Sequence, residues 1–148
     1  MFVIKLKRKR LIIFLAIILI IIAALFVLAN ADFTSVDDYV QNGSDNYSLK
    51  AGSSDERLDF FKQLNLSADG ESADEVIIPQ SFNSVYEDYN EIQKGCGFDL
   101  SRYAGKSAVR YTYTLPDGDK AVILVLKNRV IGGHIASGVY GAEYLPLF

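Results

Sequence analysis

Cysteine and histidine occur once each in this chain of 148 residues, and no acidic residue stands before Asp32. A single cysteine excludes an intrachain disulfide, so the fold has to be held by its core. One His and one Cys cannot furnish a tetrahedral zinc shell without carboxylates. There is no internal repeat and no low-complexity tract, and the length allows one modest domain, which excludes a multidomain enzyme. Cations are short beyond the N-terminus. After residue 31 ten Lys and Arg face 18 Asp and Glu, a balance of −8, which argues against nucleic acid because phosphate binding needs clustered cations.

What is present first is a hydrophobic run. Leu11 to Ala29 holds no charge over 19 residues, and at 1.5 Å per helical residue it reaches roughly the 30 Å of a bilayer's hydrocarbon. Five basic residues precede it: Lys5, Lys7, Arg8, Lys9 and Arg10. The positive-inside rule keeps that tail cytoplasmic and places the acidic remainder outside, as a single-pass protein of the cell membrane. A cleaved signal peptide is the alternative, since Ala29-Asn30-Ala31 has the small-x-small form of a cleavage site. Both readings export the rest of the chain. No cysteine follows the run, which closes the lipoprotein route. The expected organisation is a cytoplasmic basic tail over 1–10, a transmembrane helix or signal anchor over 11–30, a stalk over 31–53 and an extracytoplasmic domain over 54–148.

The stalk is rich in Asp, Asn, Ser and Gly without sustained period. Ser53-Ser54-Asp55-Glu56 has the form of a capping box and opens a short helix with Leu58, Phe61 and Leu64 as its stripe. An acidic loop, Ala68 to Glu75, leads to a short extended segment, Val76-Ile77-Ile78, stopped by Pro79. A longer helix follows, with Phe82, Val85, Tyr86, Tyr89 and Ile92 at intervals of 3 and 4 and Gly95 and Gly97 at its end.

The last third predicts a β-meander: Ala108 to Leu115, Lys120 to Leu126 and Arg129 to Ile135, turned at Pro116-Asp117-Gly118 and Lys127-Asn128. With Gly118 as the left-handed residue, Tyr113 lies across from Ala121 and Tyr111 from Ile123. The second loop then sets Ala121 opposite His134 and Ile123 opposite Gly132. One face collects Val109, Tyr111, Tyr113, Ala121, Ile123, Val125, Val130, Gly132 and His134, the expected bed for the longer helix. The other collects Val122, Leu124, Leu126, Ile131 and Ile135 and needs a cover, either the first helix, the tail Tyr140 to Phe148, or a partner protein. The fold class is therefore α+β: an N-terminal transmembrane helix, then two helices packed on a three- or four-stranded antiparallel meander.

The stretches Glu87-Asp88-Tyr89-Asn90-Glu91-Ile92-Gln93, Gly97 to Lys106, Arg110-Tyr111-Thr112-Tyr113 and Asn128-Arg129-Val130-Ile131-Gly132-Gly133 resemble a bacterial family known as domain of unknown function 4830. The likeness runs from about Ser53 to about Gly141. It implies a small, anchored, extracytoplasmic module of Gram-positive bacteria and carries no activity with it. The family pattern implies an acidic residue after the Gly-Gly pair, where this chain has His134, and its closing Gly-Phe segment is replaced here by Gly141-Ala142-Glu143-Tyr144.

Chemistry-bearing constellations are sparse. Cys96 and His134 are the available nucleophile and base for acyl transfer, but no orienting group or oxyanion hole has a signature. Calcium would have Asp69, Glu71, Asp74 and Glu75, or Asp117 and Asp119, at spacings that do not match an alternating-oxygen loop. Gly132-Gly133 is no phosphate loop, because no helix start follows it; a bulge or close-packing role is expected. Tyr111 and Tyr113 alternate as core residues do. Three sequons, beginning at Asn42, Asn46 and Asn65, matter only in a eukaryotic secretory pathway.

The expectation is a membrane-tethered interaction or ligand-sensing module and not an enzyme, without cofactor or metal. Its partners are the bilayer through residues 11–30 and a protein. Its expected interaction surface comprises Tyr140, Tyr144, Leu145, Leu147, Phe148, Leu124 and Ile131, with Gly132 and Gly133 as structural glycines. The alternatives are a structural subunit of a membrane complex and a cell-envelope hydrolase.

Overall fold

The uncharged run folds as helix α1 (Arg8–Asn30), in which the described side chains, Ile13 and Leu15 through Leu28, are all exposed. The computed structural model describes residues 8–30, 35–139 and 141–148. Among the described residues no helix is long and apolar enough to cross a membrane. The span expected over residues 11–30 thus rests on the sequence.

Ser35–Phe148 forms a second unit of α+β architecture. Its first element corrects an expectation: residues placed in an irregular stalk form a hairpin, β1 (Tyr39–Asn42) and β2 (Asp45–Ser48), paired Tyr39 to Ser48 through Asn42 to Asp45. The turn is made by Gly43, at φ +61°. Val40 and Leu49 are buried in the core, and the chain then runs beside the last strand, with Ala51 N–H donating to Asn128 O and Val130 N–H to Leu49 O. Of the expected stalk, residues 31–34 lie outside the described residues.

Helix α2 (Ser54–Gln63) starts at the capping box the sequence spells: the Ser53 side chain accepts from Glu56 N–H, and the Glu56 carboxylate accepts from Ser53 N–H. The acidic stretch expected as a loop is instead most of a strand, β3 (Asp69–Ile77). Helix α3 (Ser84–Gly95) follows, capped by the Asn83 side chain accepting from Tyr86 N–H, and Gly97 at φ +79° turns the chain out of it. A 3-10 turn over Leu100–Tyr103 leads to β4 (Ser107–Thr114), β5 (Lys120–Leu126) and β6 (Arg129–Ala136). The four strands form one antiparallel sheet in the order β3-β4-β5-β6.

The β4–β5 register is the one the turn chemistry predicts, with Tyr113 opposite Ala121 and Tyr111 opposite Ile123. The β5–β6 register begins as predicted, Leu126 opposite Arg129 and Val125 opposite Val130, but then slips: Leu124 faces Gly132, and Val122 faces His134. Ile131 is the extra residue of a β-bulge. Gly132 and His134 therefore leave the face predicted for them, and Ile135 joins the opposite one.

The helices take the faces in the reverse of the expected order. Helix α2 covers Tyr113, Ala121, Ile123, Val125 and Val130 with Phe60 and Phe61, the Phe61 ring standing edge-on to Tyr113 at 5.0 Å. Helix α3 lies over Leu124, Leu126, Ile131 and Ala108 with Tyr86 and Tyr89. The tail returns to the sheet on the α2 side: Leu145 exchanges both backbone hydrogen bonds with Ile135, Leu147 is buried, and Phe148 packs on Tyr47 at 4.9 Å.

Candidate functional site

The α3 face of the sheet is incompletely roofed where β3 ends and α3 begins. Asn83, by capping α3, fixes the direction in which the helix leaves, and Tyr86 and Tyr89, three residues apart, then descend on one side toward the sheet. The bulge at Ile131 turns His134 up from β6, β4 contributes Arg110, and the Ile135–Leu145 bridge sets Tyr144 beside His134. Together with Val76, Ile77 and Val85 these side chains enclose an open cleft of about 290 Å³. Large apolar groups remain in water at its mouth: Ile77 is 72 % exposed, Val85 74 % and Tyr144 49 %.

The floor is a ladder of rings. Tyr89 and His134 stand edge-on at 5.4 Å and share a hydrogen bond of 2.8 Å between the phenol oxygen and Nδ1. The Tyr144 ring lies 4.2 Å from His134 and 5.7 Å from Tyr89, and Tyr86 meets Tyr89 at 5.6 Å. Burial, with Arg110 nearby adding to it, pushes the His134 imidazole down to about 4, so the ring is neutral at ordinary pH. Burial likewise raises the Tyr89 and Tyr86 phenols above their usual value and keeps them un-ionised. Arg110 is held in a two-pronged pair by Asp74, at 3.1 and 2.7 Å. The cleft thus offers aromatic faces, aliphatic walls, one neutral imidazole and the Asp74-paired guanidinium of Arg110, with no Ser, Thr or Cys along its lining.

The expected interaction surface divides. Tyr144 lines the cleft, while Leu145 is exposed on the neighbouring tail. Leu147 is in the core and Phe148 packs against it; Tyr140 lies outside the described residues. Leu124, 5 % exposed, lines the cleft beneath α3, whereas Ile131 is a correction, being 1 % exposed and covered by α3 on the same face. Gly132 and Gly133 sit at the bulge, where a Cβ would meet Gln93 and Leu100 at the first and the Val122 carbonyl at the second. The bulge also frees the Gly133 N–H, which donates to Gln93 Oε1 at 2.7 Å.

Cys96 and His134 are not brought together. The Cys96 thiol is buried in the α2-side cluster against the Phe148 carbonyl, whereas His134 faces α3. The acidic residues of β3 also part company, Glu71 going to Arg57, Asp74 to Arg110 and Glu75 to the Ser107 hydroxyl. Among the described residues no three His, Cys, Asp or Glu side chains gather as metal ligands.

One polar constellation escaped sequence reasoning. Buried Arg57 donates to Glu71, to the Tyr113 hydroxyl and to the Ala51 carbonyl, with its guanidinium 3.8 Å above the Tyr111 ring. The Tyr113 hydroxyl also donates to Glu71. These bonds hold the Glu71 carboxyl below its usual range, Arg57 first among the causes. Arg57 stands on α2 and its side-chain partners Glu71, Tyr113 and Tyr111 on β3 and β4, so its role is to tie helix to sheet. A lone Arg on the apolar stripe of α2 was the available signal.

A family model for a domain of unknown function, DUF4830, matches residues 60–135. The chain belongs to this family. The matched segment of the DUF4830 domain carries α3, all four sheet strands and His134, whereas the hairpin and Tyr144 lie on either side of it. Comparison with curated proteins and with solved structures returns no match.

Proposed function

We propose that this DUF4830 protein is a membrane-tethered, extracytoplasmic binding module whose ligand site is the Tyr86–Tyr89–Tyr144 cleft. The uncharged run Leu11 to Ala29, most of helix α1, is the bilayer span. Its basic flank stays in the cytoplasm by the positive-inside rule, and the acidic unit stands outside. The observation that carries the binding role is the exposure of Ile77, Val85 and Tyr144 around an open cleft of about 290 Å³. Catalysis is disfavoured by the same lining, because it presents a neutral imidazole engaged with Tyr89 and no nucleophile beside it.

Two measurements in intact cells test the reading. Protease added outside is expected to release a fragment beginning before Tyr39; a fully protected domain would reverse the orientation. A photo-crosslinker placed at Val85 is expected to capture an extracytoplasmic partner, with capture lost on Tyr144→Ala. Crosslinking unchanged by that substitution would remove the cleft from the binding role.

A further inference from the structure

The two edges of the four-stranded sheet are finished differently. The outer side of β6 is closed at both ends, by the Lys50–Arg129 bridge and by the Ile135–Leu145 bridge. At the other edge β3 pairs with β4 on one side, and among the described residues no strand or tail pairs with its other side. Past an irregularity between Asp69 and Ser72, the regular stretch from Ser72 to Ile77 leaves N–H and C=O groups of alternate residues on the open edge, which is a template for another strand.

This edge runs into the cleft. Asp74 and Val76 share the α3 side of the sheet, opposite Arg110 and Ala108, and Val76 is part of the cleft wall. A strand laid beside β3 therefore points every second side chain toward α3, and the one level with Val76 meets Val85 and Tyr86. The length of β3 carries Asp69, Glu71, Asp74 and Glu75 and no Lys or Arg; Glu71 is paired with Arg57 and Asp74 with Arg110, so the acid offered to an added strand comes from Asp69 and Glu75 together with exposed Glu87 and Asp88 on α3. A second copy of this chain pairing β3 on β3 would set acidic strand against acidic strand, which is repulsive. A basic segment has the complementary charge.

We propose, building on the reading of the cleft as a binding site, that β3 and the cleft form one strand-addition site. Its occupant is an extended peptide segment bearing Lys or Arg along its length and a large aromatic or aliphatic side chain at the end that enters the cleft. Main-chain hydrogen bonds to β3 supply affinity that is indifferent to sequence, the acidic strand selects for positive charge, and the ring-lined cleft selects the anchor residue.

The test uses the full chain in nanodiscs of zwitterionic phosphatidylcholine, with a fluorescent nonapeptide of alternating Lys and Thr ending in Phe as the probe. Saturable binding is expected, with exchange protection of β3 amides between Ser72 and Ile77. Affinity is expected to fall at least tenfold when Phe becomes Ala, when Lys becomes Glu, or when backbone amides of one alternate set are N-methylated, and to persist when the other set is methylated. Val85→Glu and Ile77→Lys, at exposed positions that the fold tolerates, are each expected to weaken binding by a similar factor. Equal binding of both methylated peptides, or no protection along β3, overturns strand addition. The cleft reading then survives if the partner crosslink at Val85 still depends on Tyr144. A neutral wall-type oligosaccharide that binds the cleft while the peptide does not overturns the occupant named here.

Discussion

Acidification offers a sharp probe of the cleft, because His134 is the chain's one imidazole and is buried uncharged. The groups facing it are the Tyr89 phenol from α3, the Tyr144 ring from the tail and Arg110 from β4, which opposes its protonation. Its folded value of about 4 lies below the ordinary imidazole value of 6.5, so between those limits the unfolded chain binds the extra proton and stability rises with pH. Stability contributed by the neutral ring is thus present above pH 6.5 and is lost as the pH falls toward 4. Integrated over that window the loss is about 2 kcal/mol between pH 7.5 and pH 5, levelling near about 3 kcal/mol below pH 4. The carboxyls of Glu71, Asp37 and Asp99 are held low by hydrogen bonds. Their contributions are lost lower still, as each protonates in the fold, and they are common to any His134 variant. Thermal unfolding by near-ultraviolet circular dichroism across pH 4 to 8 should therefore show a steeper decline for the parent than for His134→Asn, with the two curves converging on the acid side. Parallel curves would mean that the imidazole protonates as freely in the fold as out of it, and the buried, Tyr89-bonded placement would be wrong.

Two further perturbations follow from the bulge and the tail. A Cβ at Gly133 would stand 2.5 Å from the Val122 carbonyl, whereas one at Gly132 meets the ends of the Gln93 and Leu100 side chains at 2.8 and 3.0 Å. Gly133→Ala should therefore lower the melting temperature well beyond Gly132→Ala, the former costing about 3 kcal/mol or more and the latter about 1; equal effects would contradict the assigned register. Deleting Glu143 to Phe148 removes buried Leu147 and the Phe148 ring that packs on Tyr47 and Phe98. It should cost about 2 to 4 kcal/mol, and an unmoved unfolding midpoint would show that the tail is not part of the core.

What the sequence made legible was local. The Ser53 capping box, the left-handed Gly118 and the Lys127-Asn128 turn each rest on neighbours within a few residues, and each is formed as expected. The hairpin over 39–48 went unseen because strands of four residues cannot display a period, although Asn42-Gly43 is a turn signal that reveals such hairpins. Strand β3 was hidden for a different reason. Nearly all of its side chains are exposed, so burial imposed no apolar alternation on its residues, and an acidic strand at an open edge reads like a loop. Of the cleft, Tyr86 and Tyr89 appeared as a helical stripe and Tyr144 as part of the surface, but what joins them is tertiary.

The joining depends on one residue. From Leu126–Arg129 to Val125–Val130 the last hairpin follows the two-residue turn, and a regular ladder would continue with Leu124 opposite Ile131 and Ala121 opposite His134. In that register His134 would share the face of Ala121 and Tyr113, beneath Phe61 of α2, and the cleft under α3 would lose its imidazole. Inserting Ile131 as a bulge reverses every position after it, sending Gly132 and His134 toward α3 and Gly133 and Ile135 toward the tail. The glycine pair is what makes the reversal admissible, since one glycine abuts Gln93 and Leu100 on the helix side and the other abuts Leu147 and the neighbouring strand. Nothing in a period-2 pattern distinguishes the two registers, because each places apolar residues on both faces. The adjacent glycines are the trace that the bulge leaves in the sequence, and the placement of His134 beside Tyr89 and Tyr144 follows from them.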